Sequence, residues 1–388
     1  MNIKIRTGNG LRARLATTVS FENLFTELVK NSLQNNATQV NITYDQHHAR
    51  ILDNGQGFDH LVDDTGLNEF EKYFVYGNSY TKNDKRLNLG EMGVGGKAAN
   101  DKLSDINNTH WTIHTINKHG KSFELQFKSK DEQYLDQVQP TLQEISRQQT
   151  NINTPTGTSI TIHNINPQLK QSGWPDQAIK DNLQQFFNML YFQTKDQNRS
   201  FKIFVNGAPI IFNNTLPGDQ WMHGTRTFTC VVDGKHINTT YDFQLNHLHK
   251  RGQPGLLQSV DLVSYTRIDR IHLNPAYIDT SMHEHLDPNT VCDYWNHQIR
   301  GYITCNALSD IKDSTGMSAK DLSHHRLHPN HPVTKAFWND VHKFIGPALV
   351  RRVNDLTNPD NFAQKTLLHV GRIIASRFNV PDNFIVEK

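Results

Sequence analysis

The stretch that most constrains this chain is Glu27-Leu28-Val29-Lys30-Asn31-Ser32-Leu33-Gln34-Asn35-Asn36-Ala37-Thr38. Phe21, Leu24, Phe25, Leu28, Val29 and Leu33 recur at helical spacing, so the segment reads as a helix with one buried face. Glu27 and Asn31 stand four residues apart and are therefore neighbours on the helix surface. They fall at the edge of the apolar stripe, where a carboxylate and a carboxamide can face a cleft. A Glu and an Asn at a helix edge are more often simply solvated, so their meaning depends on the residues further along the chain.

Three such segments come in order: Asp53-Asn54-Gly55-Gln56-Gly57-Phe58, then Gly90-Glu91-Met92-Gly93-Val94-Gly95-Gly96-Lys97-Ala98-Ala99, then Gly157-Thr158. Taken singly each is bland. Asn-Gly is ordinary turn chemistry, a glycine run is more often a loop than a phosphate cradle, and a threonine opening a strand is a common β-branched choice. The pattern lies in all four segments together, in this order. Val40, Ile42 and Tyr44 alternate as a strand, and Ala49 to Leu52 reads as a second one that delivers Asp53 to a cleft floor. The glycine run leads into Lys97-Ala98-Ala99-Asn100-Asp101-Lys102-Leu103, which reads as a helix. Glycines before a helix N-terminus present bare amides and a positive dipole end to an anion. No GKT or GKS ending marks a P-loop.

In this order the segments resemble the GHKL ATPases, the superfamily of gyrase B subunits, heat-shock chaperones of the ninety-kilodalton class, MutL and MORC proteins, and histidine kinases. The likeness covers about the first 165 residues, one domain's worth of chain, and continues more loosely to about residue 350. The resemblance implies an α+β chain: a Bergerat-type α/β sandwich that binds ATP over 1–165, a linker and connecting helix over 166–200, an α+β transducer-like domain over 201–355, and a helical tail over 356–388. It implies ATP and Mg²⁺ as cofactors. Glu27 would orient or deprotonate the attacking water, Asn31 would hold the metal, and Asn35 would lie beside the nucleotide. Asp53 would accept from the adenine amino group, with Gly55 and Gly57 permitting close approach and Thr158 sharing a water with the base. Gly90, Gly93, Val94, Gly95, Gly96 and Lys97 would line the phosphates, joined by Ser79 and Lys82 from the lid-like stretch 59–89. A transducer lysine would sense the terminal phosphate. Lys320 is preferred over Lys312 because Lys320-Asp321 resembles the family's polar ending. One departure from the family is Gln34-Asn35, where MutL-like members commonly carry Asp-Ala.

Composition narrows the classes. At 388 residues there is room for two cores, and 40 − 38 = 2 excess positive charges give no sign of a constitutive nucleic-acid or membrane surface. Cys230, Cys292 and Cys305 are scattered without a CxxC pair, against a zinc finger or disulfide scaffold. No run reaches the roughly 18 apolar residues of a membrane span, and a cytoplasmic protein, or a nuclear one in a eukaryote, is expected. His324, His325, His328 and His331 crowd one stretch, but Pro329 and Pro332 interrupt it, so these histidines read as surface or interface residues.

Along the remainder, strand-like runs fall at 111–117, 122–128 and 158–163, with a polar excursion at 131–154. Pro167 to Pro175 reads as a linker, Asp176 to Thr194 as an amphipathic helix, and Phe201 to Gly207 as a strand and turn. Strand-rich segments lie at 225–232, 236–245, 258–272 and 299–305, and helical tracts at 333–353 and 360–378. The functional expectation is an ATP-hydrolysing switch that closes or homodimerises on ATP and clamps a nucleic-acid or protein partner. The alternative is a scaffold that grips ATP without hydrolysing it. Too little chain precedes Phe21 for the helical hairpin of a sensor kinase.

Overall fold

A one-turn 3₁₀ segment, Phe21–Asn23, leads into the first helix, α1, Leu24–Gln34. Its apolar residues are buried as the spacing requires: Leu24, Phe25, Leu28, Val29 and Leu33 are all at most 1 % exposed. The helix stops at a Schellman motif. Asn36 takes a left-handed conformation (φ 61°), its amide donates to the Leu33 carbonyl, and the Ala37 amide donates to that of Ser32. The structure is a computed structural model that describes residues 21–62, 66–74, 95–130, 140–194, 200–212, 216–248, 259–264, 266–283, 285–320 and 326–357. The helical tract expected at 360–378 lies outside the described residues.

The chain after α1 builds a mixed eight-stranded sheet in the order β5-β4-β3-β6-β2-β1-β7-β8. The strands are β1 (Gln39–Tyr44), β2 (Ala49–Asp53), β3 (Asn108–Ile116), β4 (Ser122–Lys130), β5 (Thr141–Glu144), β6 (Gly157–Ile162), β7 (Lys202–Val205) and β8 (Ala208–Pro209). Period-two alternation puts one set of side chains on the core face, and the registers align those sets in rows. Ile42 lies opposite Ile51, Ile51 opposite Ile160, and Ile160 opposite Ile113. The next row runs Tyr44, Ala49, Ile162, Trp111. These rows and the apolar side of α1 share one buried cluster with helix α5 (Asp176–Thr194), through Ile179, Leu183, Phe186 and Phe187. The opposite sheet face is polar. There Arg50 donates to Ser159, and His114 bonds Glu124 at 2.8 Å. His110 stacks on His163 with ring centroids 4.2 Å apart, and burial beside His163 pulls the His110 imidazole down to about 4.

A second sheet has the order β12-β11-β13-β10-β9. Its long strands β9 (Asp219–Val232) and β10 (Lys235–His247) meet at Asp233-Gly234, both at positive φ, as a two-residue hairpin turn demands. β11 (Val260–Ser264), β12 (Thr266–Arg270) and β13 (Ile299–Thr304) complete it. Helix α6 (Pro288–Gln298) starts at an Asp287 cap, and its buried Trp295 donates to the Ile271 carbonyl. A single turn, α7 (Ala307–Asp310), succeeds β13. Helix α8 (Pro332–Thr357) is fixed to the sheet through Asp340, which accepts from Arg226 and from the Tyr241 hydroxyl at 2.9 Å each.

The structure departs from the sequence reading in five places. The chain forms two compact units, residues 1–215 with 263–268 and 320–327, and residues 216–262, 269–319 and 328–388. The first unit therefore continues past the expected boundary at 165, because β7 pairs in parallel with β1 and α5 is part of the first core. The expected linker at 167–175 contains a short helix, α4 (Pro167–Ser172), started by Asn166 capping the Gln168 amide. The polar excursion holds β5, paired to β4. Helix α6 forms where the sequence pattern predicts no element. His331 is buried at the start of α8 rather than lying on the surface. Its neighbours His324 and His325 are outside the described residues, and no His, Cys, Asp or Glu cluster of metal-binding form occurs among the described ones. The three cysteines are free and buried, with the Cys305 thiol pushed up to about 12 by burial. No described helix is long and apolar enough to cross a membrane.

Candidate active site

The rows of the first sheet end in hydrogen-bonding residues. Beyond the isoleucines lies the row Val40, Asp53, Thr158, Thr115. Asp53 is the last residue of β2 and keeps the core-facing parity of Ala49 and Ile51, so its carboxylate is buried at 6 % exposure. Its Oδ2 accepts from the Ser32 hydroxyl at 2.8 Å. Its Oδ1 accepts from the Gly55 amide at 2.8 Å and the Thr158 amide at 3.2 Å. Burial pushes the Asp53 carboxyl above its ordinary value, and these three donors pull it part of the way back. Thr115 closes the row: its hydroxyl donates to the Gly157 carbonyl at 3.0 Å and accepts from the Phe58 amide at 2.9 Å.

The glycines are set by contact distances. At Gly57, φ is +69° and an added Cβ would lie 2.3 Å from the Ile116 carbonyl oxygen. At Gly55 a Cβ would come 2.7 Å from the Asn35 carbonyl oxygen. That same carbonyl accepts from the Gln56 amide, so Asn35, the C-cap residue of α1, joins the helix end to the Asp53 loop through its backbone.

Along α1 the polar side chains come in a fixed order. Ser32 touches Asp53. Asn31, half-buried, meets helix α3 (Gly95–Leu103), where a Cβ on Gly96 would stand 2.3 Å from the Asn31 amide nitrogen. Glu27 lies one turn earlier, is 9 % exposed, and its Oε1 accepts from Lys30 Nζ at 2.8 Å. Tyr73, on the short helix α2 (Glu69–Phe74), adds a further tie by accepting from Asn100 of α3 at 2.8 Å. Gly95 and Lys97 occupy the first turn of α3. Ser79, Lys82, Gly90, Gly93 and Val94 lie outside the described residues. Lys320 is buried and donates to the Ser264 carbonyl at 2.7 Å, whereas Lys312 is exposed.

The structure thus brings Glu27, Asn31, Asn35, Asp53, Gly55, Gly57, Gly96 and Thr158 into one contiguous neighbourhood built on α1, β2, β6 and α3. Three members escape the sequence reading. Ser32 and Lys30 sit inside the α1 motif but carry no spacing signal of their own. Thr115 becomes visible only once β3 is registered against β6.

Residues 19–158 match the family model described as histidine kinase-, DNA gyrase B-, and HSP90-like ATPase. Among solved structures, the ATPase region of Saccharomyces cerevisiae topoisomerase II bound to ICRF-187 (dexrazoxane) is similar at 13 % identity, over 87 % of this chain and 85 % of that one, with a TM-score of 0.45. The ATPase and transducer domains of DNA topoisomerase II from Balamuthia mandrillaris are similar at 14 % identity, over 85 % and 84 % of the two chains, with a TM-score of 0.44. No curated protein matches. Residues 19–158, with the helix of Glu27 and Asn31, the Asp53 loop and Gly157-Thr158 inside or at the edge of that match, are thus similar to the ATPase domain of the GHKL superfamily.

Proposed function

We propose that the neighbourhood around α1 binds Mg²⁺-ATP and hydrolyses it slowly, and that the bound nucleotide biases a conformational switch. The observation that carries this reading is the acceptor count at Asp53. An ionised carboxylate offers about four lone-pair sites and no donor. Ser32, Gly55 and Thr158 take three, which leaves room for one more donor from a buried partner. An exocyclic amine on a flat apolar ring fits such a vacancy. The Asp53 row continues the apolar rows of the sheet, so the ring would be flanked by core.

The order along α1 supports the rest. Ser32 is at the base end, Asn31 faces the first turn of α3, and Glu27 lies roughly 7.5 Å of helix rise from Ser32 at ~1.5 Å per residue. A nucleotide laid base to phosphate runs in that direction. Asn31 would supply one side-chain oxygen to the Mg²⁺ of a bound Mg²⁺-ATP, a hard cation that takes oxygen ligands. When bound, the metal neutralises phosphate charge. Glu27 orients the attacking water and takes its proton. The first turn of α3, with Gly95, Gly96 and Lys97, offers amides and a positive dipole end to the phosphates. Gly90, Gly93, Val94, Ser79 and Lys82 are assigned to the same phosphate side. Lys320 is favoured over Lys312 as the phosphate-sensing lysine because it is buried and ordered by a backbone carbonyl. ATP-dependent homodimerisation, and a nucleic-acid or protein client of the kind served by MORC, MutL or chaperone relatives, belong to the same proposal.

The test compares phosphate release and ATP binding in the parent and in Glu27→Gln. Glutamine keeps an acceptor oxygen for Lys30, so the hydrogen bond to the buried ammonium survives although the opposite charge is lost. Turnover should fall by about 10²-fold or more with ATP affinity retained, as the loss of a general base requires. Equal background rates in both proteins, with ATP bound tightly, would replace the switch enzyme by a scaffold that grips nucleotide without turnover.

A further inference from the structure

Lys30 is the most unusual residue of α1. It is 1 % exposed, among the largest fully buried side chains of the chain, and it sits on the helix that carries the proposed general base. Its ammonium bonds Glu27 Oε1 at 2.8 Å, with the two side chains 1 % and 11 % exposed. The same nitrogen lies 5.6 Å from the centre of the Phe186 ring on α5, a cation–π distance. Lysines are almost never fully buried without a partner. Here the partner is a carboxylate one turn away on the same helix. The lysine approaches it from the side where α1 packs on α5, and that packing fixes the direction of approach.

We infer that Lys30 is a positioning residue for Glu27: it holds one carboxylate oxygen from behind, through the α1–α5 interface, and leaves the other to face the attacking water. The inference rests on the proposal that Glu27 is the general base. A glutamate on a mobile rotamer spends part of its time out of reach of a water, and geometry of this kind is worth orders of magnitude in rate. A buried ion pair is a strong means of fixing one rotamer, because either partner alone would be left charged in an apolar setting. Phe186 extends the chain of supports, since its ring faces the ammonium from the neighbouring helix.

The test is a double-mutant cycle on the full chain with two readouts, phosphate release with Mg²⁺-ATP and the melting temperature of the nucleotide-free protein. Lys30→Met keeps the length and removes the charge. Its expected effect is a kcat at least tenfold lower with KM for ATP within threefold, and a lowered melting temperature. In the Glu27→Gln background the same change should lower neither kcat nor melting temperature further, and the melting temperature should hold or rise, because there the buried ammonium has no opposite charge to pair with. Lys30→Gln, which retains N–H donors, should recover part of the lost kcat. Parental kcat in a folded Lys30→Met protein overturns the inference, as does an equal loss of melting temperature in both backgrounds. Should Lys30→Met fail to fold, the melting of Glu27→Gln/Lys30→Met decides: a folded double variant supports the coupling, and an unfolded one refutes it. If the parent releases no phosphate at all, the general-base reading fails instead, while the melting cycle still tests the pairing.

Discussion

Exchanging Asp53 for asparagine is the sharpest test of the nucleotide pocket, because it separates binding from folding. Asparagine has nearly the same volume and keeps one acceptor oxygen. That oxygen can still take the Gly55 and Thr158 amides, which both reach Oδ1 in the parent. The new amide nitrogen then stands where Oδ2 accepted from Ser32. The Ser32 hydroxyl can rotate and accept instead, so one of the two new N–H donors is satisfied in the nucleotide-free fold and the second stands where the purine amine would approach. The incoming purine amine fares worse, since it meets a donor in place of a carboxylate oxygen. A hydrogen bond to a charged acceptor is worth about 1.5–3 kcal/mol, and a buried donor left unmatched costs about 1–3 kcal/mol more. A total of about 2.5–6 kcal/mol, at ~1.4 kcal/mol per tenfold, corresponds to roughly 10²- to 10⁴-fold weaker ATP binding.

Stability should move the other way. Because burial raises the Asp53 carboxyl in the fold, keeping it ionised costs folding free energy at any pH above that raised value. The cost disappears as pH falls through it and the carboxyl takes up its proton. Asp53→Asn should therefore melt at or above the parent at neutral pH, and the gap should close on acidification. Calorimetric titration with ATP and melting curves across a pH series measure both effects. Parental ATP affinity in the variant refutes the pocket. A variant that melts far below the parent at neutral pH refutes the claim that the ionised carboxylate is held at a cost.

Two further substitutions probe the frame around the site. Gly57→Ala forces a side chain onto a left-handed backbone and onto the Ile116 carbonyl oxygen at 2.3 Å; with strain alone costing about 1–3 kcal/mol, urea denaturation should reveal at least that loss, and an unchanged midpoint would contradict the close approach. Gly96→Ala clashes with the end of the flexible Asn31 side chain and otherwise makes ordinary contact with the Tyr73 hydroxyl, so stability should change by less than about 1 kcal/mol. The displaced amide should nevertheless raise the Mg²⁺ concentration needed for half-maximal phosphate release by roughly threefold or more, an effect of ~0.7 kcal/mol; an unchanged midpoint would remove Asn31 from the metal.

The sequence makes α1 legible because six apolar residues at helical spacing admit few other structures, and β1 and β2 because alternation fixes their faces. Asp53 is legible as the end of a strand. Its partners are not. Thr115 reaches the site only through a register against β6, and Ser32 matters only because α1 crosses the end of β2. Both facts are long-range, and local periodicity carries no record of them. The same limit explains the misplaced domain boundary. Nothing near Lys202 announces that β7 will pair in parallel with Gln39–Ile42, far earlier in the chain. Lys30 is hidden for another reason: a lysine on a helix normally signals solvent, and its burial depends on the partner one turn away and the ring on α5.

The site is best understood as the core continued with different chemistry. Trp111, Ile113 and Thr115 run along β3, Ala49, Ile51 and Asp53 along β2, and Ile162, Ile160 and Thr158 along β6, all on one face. Each strand turns polar at the same end, and the registers bring those ends into one row. A one-residue slip of β2 would send Asp53 to the opposite face. Asn54 guards against this slip. Its side-chain oxygen accepts from the Thr38 and Gln39 amides at 2.8 Å each, and its amide donates to the Thr38 hydroxyl at 2.9 Å. The residue after Asp53 thus clamps the start of β1 and fixes the register that buries the carboxylate. The asparagine of the Asp53-Asn54-Gly55 motif accordingly acts on strand register, and together with the buried Ala49 and Ile51 it turns the aspartate inward.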